Sequence, residues 1–179
     1  MKYLIASDIH GSAAYCRNLL DAFEREGADR LLLLGDILYH GPRNDLPLEY
    51  DPKAVIAMLN PLKDRILCVQ GNCDGDVDQM VLEFPIMATY AIVESNGLTI
   101  YATHGHKFGK DCPPPLKNGD ILLCGHTHIP ANEAVGNIRY LNPGSVSIPK
   151  NGSKNSYMTL CVGVFVWKDL DGNAYDPTL

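Results

Sequence analysis

The chain has 179 residues, 46% of them hydrophobic and 20% charged with both signs interleaved, a profile that suits one folded unit over residues 1–179 and excludes a disordered tail. Its formal charge of -6 argues against a generic binder of nucleic acid or anionic membrane, because such partners need a basic surface to displace counterions from phosphates. Bound divalent cations would offset part of that negative balance.

Residues 3–6 form an apolar run without polar alternation and read as a strand buried on both faces. The run enters Ser7-Asp8 at once, too early for the apolar stretch of a signal peptide or a bilayer span. Cys16, Leu19, Leu20 and Phe23 then recur at helical spacing, and Gly27 stands where a helix would end. Residues 30–34 predict a second strand. Asp51-Pro52 opens a second helix carrying Val55, Ile56, Met58 and Leu59 towards Asn60-Pro61, and residues 65–69 predict a third strand. The second half reads as strands at 87–93, 98–103, 120–124, 139–141 and 157–166, with turns at 95–97, 135–137 and 171–173. The expected fold is an α/β sandwich of two packed mixed sheets flanked by helices, the second sheet largely antiparallel. The six cysteines form no C-x-x-C pair and read mostly as small buried thiols, so a cytoplasmic, reducing setting is expected.

The chemistry-bearing residues share one local position: each follows an apolar run. Asp8 and His10 follow the first run, Asp36 follows Gly35, Asn72 follows Gly71, His104 follows Thr103, and His126 and His128 follow Gly125. Loops beyond the carboxyl ends of strands are where ligands collect in α/β sheets, so these side chains can converge. Carboxylate, imidazole and amide donors together suit divalent Mn, Fe, Co, Ni or Zn, and seven are too many for one such ion. Two ions sharing a carboxylate would accommodate them. Alone, a His beside a strand is commonly a buried imidazole and an Asp there a turn former or cap.

Asp8-Ile9-His10, Gly35-Asp36, Gly71-Asn72-Cys73-Asp74, Thr103-His104-Gly105-His106 and Gly125-His126-Thr127-His128 together resemble the five ordered signature blocks of the calcineurin-like metallophosphoesterases. Gly41-Pro42-Arg43-Asn44, Asp78-Gln79-Met80 and residues 142–149 make the chain most similar to the YfcE-type phosphodiesterases of that superfamily. The resemblance implies that Asp8, His10 and His128 hold one metal, that Asn72, His104 and His126 hold the other, and that Asp36 bridges. Asp36, Asn72 and His104 are thereby expected to serve catalysis as well as ligation. The implied reaction is phosphodiester hydrolysis by a hydroxide between two divalent ions, manganese foremost, with nickel, cobalt, iron or zinc as alternatives. Many members of the superfamily carry a histidine where Cys73 stands, and a thiol is a poor proton donor to a leaving alkoxide. Diesters and activated esters are therefore expected to turn over better than alkyl monoesters.

Arg43 and Asn44 are candidate holders of phosphate oxygens, with Cys73 and His106 as further substrate contacts and His40 as a second candidate acid. A small phosphodiester is the expected partner, a homo-oligomer is expected, and nucleic acid and membrane are not. The competing readings are a nuclease, a phosphomonoesterase, or a scaffold like the retromer subunit that shares this resemblance. All seven ligand positions are intact here, which favours the enzyme.

Overall fold

In the computed structural model, which describes residues 1–177, β1 (Lys2–Ala6), β2 (Arg30–Leu33) and β3 (Ile66–Cys68) pair in parallel. The last two residues of the expected 1–179 unit lie outside the described ones. The crossovers are α1 (Ala13–Arg25) and α2 (Pro52–Leu59), as the apolar spacing predicts. Ser12 caps α1 by accepting from the Tyr15 amide, and Asp51 caps α2 by accepting from that of Ala54. Their apolar faces place Leu19, Phe23, Val55 and Leu59 against Leu4, Leu31 and Leu33, all fully buried. Each such side chain contributes roughly 1.5–3 kcal/mol of transfer free energy.

The chain continues through α3 (Asp76–Gln79), β4 (Tyr90–Ser95), β5 (Leu98–Thr103), β6 (Ile121–Leu123), β7 (Ala131–Val135) and β8 (Ile138–Asn142). It ends in β9 (Ser156–Cys161), β10 (Val164–Asp169) and β11 (Ala174–Tyr175). Two sheets result, ordered β11-β10-β9-β1-β2-β3 and β4-β5-β6-β8-β7. Ile5, Leu32 and Leu34 meet Val93, Ile100, Leu123 and Leu141 between them, so the inner faces form one core. Among the described residues no helix is long and apolar enough to cross a membrane.

Several sequence expectations are corrected. The second sheet is mixed, since β5 with β6 and β6 with β8 are parallel pairs, so it is not largely antiparallel. Residues 157–166 are a hairpin, not one strand. The chain reverses at Val162 and Gly163, both at positive φ, and the unbroken apolar character on either side hides the turn. That hairpin and β11 also cross over to extend the first sheet. β7 escapes the sequence reading because Asn132 and Glu133 are polar, which an edge strand tolerates. Helices α1 and α2 pack on the first sheet, whereas Leu122 and Tyr140 on the outer face of the second meet Leu116 of the loop after β5.

Candidate metal centre

The loops after β1 and β2 continue the parallel ladder beyond the strand ends. The amides of Asp8, His10 and Gly11 donate to the carbonyls of Gly35, Asp36 and Ile37. This brings Asp8, His10 and Asp36 together with left-handed backbone at each (φ 60, 49 and 56°), and His126 and His128 share that conformation (67 and 62°). Among the described non-glycine residues nine have positive φ, and these are five of them. Strain costing about 1–3 kcal/mol per residue is thus concentrated where side chains converge. A Cβ on Gly71 would sit 2.1 Å from Asp36 Oδ1, and one on Gly125 would sit 1.9 Å from Ser7 Oγ. The glycines before Asn72 and His126 are therefore required by the close approach of neighbouring loops.

Asp74 braces this end. Its carboxylate accepts from the amides of Asp36 (2.8 Å), Ile37 (2.9 Å) and Gly71 (2.7 Å). Burial pushes its carboxyl above the ordinary range against the pull of those N–H groups. From the loop between β8 and β9, the hydroxyls of Ser145 and Ser147 donate to the Asp8 carbonyl at 2.9 and 3.0 Å.

The seven side chains fall into two groups. His128 Nε2 lies 3.2 Å from Asp8 Oδ1 and 3.3 Å from His10 Nε2. His104 Nε2 lies 3.0 Å from Asn72 Oδ1 and 3.2 Å from His126 Nδ1. Asp36 Oδ2 sits between the groups, 3.7 Å from His10 Nε2 and 3.5 Å from His104 Nε2.

This donor set is one that fits metal. The Nδ1 atoms of His10, His104 and His128 lie 2.7, 2.6 and 2.6 Å from the carbonyls of Tyr39, Leu34 and Ile148, so each Nδ1 carries the proton and donates it. Each Nε2 is left with a bare lone pair aimed at its neighbours. The lone pairs of His10 and His128 face each other at 3.3 Å, and Asp8 Oδ1 beside them is buried without an aligned hydrogen bond. Lone pairs converging on a buried carboxylate repel unless a cation lies among them. Among the described residues three clusters compatible with a cation arise: Asp8-His10-His128, Asp8-Asp36-His104 and His10-Asp36-Cys73. Burial opposes ionisation of Asp8, and only positive charge at the His10 and His128 rings, such as a proton on them, would outweigh it and hold the carboxyl well below the ordinary range.

The remaining candidates separate. Arg43, Asn44 and Cys73 line a cleft of about 440 Å³ over the cluster. The Asn44 amide, however, donates to the His40 carbonyl at 2.8 Å and so braces its own loop. The Cys73 amide donates to Asp36 Oδ1 at 2.8 Å, while burial and then the Asp36 charge push its thiol up to about 12. His40 packs edge-on between Tyr39 and Tyr50 and does not line the cleft. His106 stands behind His104 and His126 and lines a separate pocket, with burial and then His104 bringing its imidazole down to about 4. Thr127 and Lys150 line the cleft although the sequence reading omits both. Thr127 lay within a quoted block, and Lys150 follows the 142–149 block directly, which is the signal that could have found it.

Residues 1–163 match the calcineurin-like phosphoesterase superfamily domain. The chain is 48% identical to the phosphodiesterase YfcE of Escherichia coli K12 over 157 residues, 88% of this chain and 85% of that one. The solved structure of YfcE, described as a phosphoesterase from E. coli, superposes with a TM-score of 0.94 at 45% identity, covering 98% of this chain and 97% of that one. The phosphodiesterase MJ0936 of Methanocaldococcus jannaschii is 26% identical over 152 residues, 80% of this chain and 83% of that one.

Proposed function

The chain belongs to the calcineurin-like phosphoesterase superfamily, and we propose that it is a metal-dependent phosphodiesterase acting on small diesters at a centre of two divalent ions. Asp8, His10 and His128 hold one ion, Asn72, His104 and His126 the other, and Asp36 belongs to both. The observation that carries this reading is the position of Asp36 Oδ2, 3.7 Å from the His10 Nε2 of one donor group and 3.5 Å from the His104 Nε2 of the other. Bound there, two divalent ions supply an acidified water as nucleophile and draw charge from the phosphoryl oxygens.

The chain's own residues do the rest. The carbonyls of Tyr39, Leu34 and Ile148 fix the tautomer and ring orientation of His10, His104 and His128, so little reorganisation accompanies the reaction. Arg43 and Lys150, on different loops lining the cleft, bind the non-bridging phosphate oxygens, Arg43 as a fork of donors and Lys150 as a point charge. Cys73, a weak donor, leaves a poor leaving alkoxide without an effective proton source. That favours diesters and activated esters over alkyl monoesters. Manganese suits the mixed carboxylate, imidazole and amide set, and the six unpaired thiols support a cytosolic setting.

The test is hydrolysis of bis(4-nitrophenyl) phosphate and of an alkyl phosphomonoester, with added Mn and with chelator. Metal-dependent cleavage favouring the diester is expected. Background rates for both substrates with saturating metal would reject the enzyme and favour the scaffold reading.

A further inference from the structure

A second cavity adjoins the phosphate cleft. It is a groove of about 820 Å³ that shares Pro42, Arg43, Asn72 and Cys73 with the cleft, so a molecule bound over the metal ligands reaches it without crossing open surface. Its walls are apolar: Leu38, Tyr39, Tyr50, Ile56, Val77 and Val81 come from the loop after β2, from α2 and its N-terminal approach, and from the α3 region. Tyr39, Val77 and Val81 are exposed, as are Leu46, Leu48 and Met80 on the same stretches of chain. Of the eleven large apolar side chains exposed among the described residues, Tyr39, Val77 and Val81 line the groove itself. Exposed apolar surface gathered at one place marks a binding site rather than ordinary scatter.

The polar groups of the groove decide what it takes. Asp74 is spent on three backbone amides, and Asp78 accepts from the Gly75 amide at 2.8 Å. Arg43 is the only cation among the described lining residues. A second anionic group would therefore meet two carboxylates and, beyond the Arg43 guanidinium, only the neutral donors of Tyr39, Tyr50 and Asn72, with no further cation among the described lining residues. The pocket on the His106 side differs, because Lys107 lines it together with Lys110, the latter paired with Glu133 at 3.0 Å, and with Asp111. We propose that the groove is the subsite for one ester arm of the substrate, and that this arm is an uncharged aromatic or bulky apolar alcohol. The proposal rests on the reading that a phosphodiester binds at the neighbouring centre, and it narrows the substrate class to diesters with at least one such arm.

The test compares diphenyl phosphate with dimethyl phosphate, two diesters of equal charge, by following methyl resonances of the Mg-loaded protein. Diphenyl phosphate is expected to bind about tenfold more tightly, equivalent to about 1.4 kcal/mol, and to shift the methyls of Ile56, Val77 and Val81 by ring current. In the double variant Val77→Asp, Val81→Asp the preference falls towards unity, whereas in Met80→Asp, which does not line the groove, it stays at the wild-type value. Equal binding of the two diesters overturns the proposal, as does a preference that survives the double variant or shifts confined to the pocket of Lys107 and Lys110. Sedimentation covers the other occupant: a dimer dissolved by the double variant while the aryl preference persists would assign the groove to a second copy of the chain. Failure of metal-dependent hydrolysis with the aryl preference intact would sink the enzymatic reading and leave the subsite standing, so the two failures are distinguishable.

Discussion

Two groups of charged side chains lie on the first sheet and its loops, and only one of them is neutralised by the chain itself. At the C-terminal end of α1, Glu26 accepts from Lys168 Nζ at 2.7 Å, Lys2 Nζ at 3.0 Å and the Tyr157 hydroxyl at 2.9 Å. In the loops after β1 and β2, Asp8 and Asp36 are buried more deeply than the partly buried Glu26, yet among the described residues they face imidazoles and no lysine or arginine pairs with them. Charge buried for structure is matched by the chain's own cations, because an unmatched ion costs several kcal/mol. Charge left unmatched marks where a cation arrives from outside. The pairing pattern separates the two.

The strongest way to break that comparison is Asp36→Asn. The substitution removes the oxygen shared by both donor groups, so kcat/KM for an aryl diester is expected to fall by about 10³, or about 4 kcal/mol of transition-state stabilisation. Denaturant unfolding in chelator should show no loss of stability, since an uncompensated buried charge is gone. A loss above about 2 kcal/mol would place Asp36 with Glu26 as a structural group.

Metal addition sharpens the same contrast. An ion present at a hundredfold its Kd should stabilise the native state by about 2.7 kcal/mol, read as a rise in Tm on adding Mn to chelator-treated protein. Asp36→Asn should lose most of that rise and Glu26→Gln should keep it.

Glu26 itself predicts a pH effect. Burial would raise its carboxyl, but Lys168, Lys2 and Tyr157 hold it down to about 2. The unfolded carboxyl titrates near ~4.3, so the stabilisation is fully present above that pH and is lost as pH falls towards 2. Allowing for partial solvent screening, the contribution is about 2 kcal/mol. Glu26→Gln should lower stability by about that amount at pH 7, flatten the decline between pH ~4.3 and 2, and leave diester hydrolysis at 25 °C unaltered. Unfolding curves of both proteins across that range check it.

The strands and candidate metal-binding residues legible in the sequence are those with a local signature. Residues 3–6 and 30–34 are buried on both faces and so read as unbroken apolar runs, and the glycines before Asp36, Asn72 and His126 mark where loops must pass closely. The crossover of β9 to pair with β1 carries no local sign, because register against a distant strand is set by packing. The tautomers of His10, His104 and His128 were equally out of reach: each depends on a carbonyl 20 to 70 residues away. The two parallel pairs of the mixed second sheet are out of reach for the same reason, since hairpin turns predict antiparallel neighbours but say nothing of how β6 inserts between β5 and β8.

The smallest predicted effect concerns Lys150, a cation at the edge of the unmatched group that belongs to neither kind of charge. Its amide donates to the His128 carbonyl at 3.2 Å and its own carbonyl accepts from the Ser153 hydroxyl at 2.7 Å, so its backbone is fixed beside a ligand while its side chain is exposed at the cleft. If the side chain holds a phosphate oxygen in ground and transition states alike, Lys150→Ala should raise KM for an aryl diester about tenfold, about 1.4 kcal/mol, with kcat within about twofold. A cation exposed at the cleft acts through a screened field, so raising the salt should lower kcat/KM of the wild type more than that of the variant. Lys150→Arg should restore both the affinity and the salt slope. A variant that loses kcat with KM and salt slope intact would instead mean that Lys150 positions His128 through its backbone, and the cleft would then rely on Arg43 for its anion.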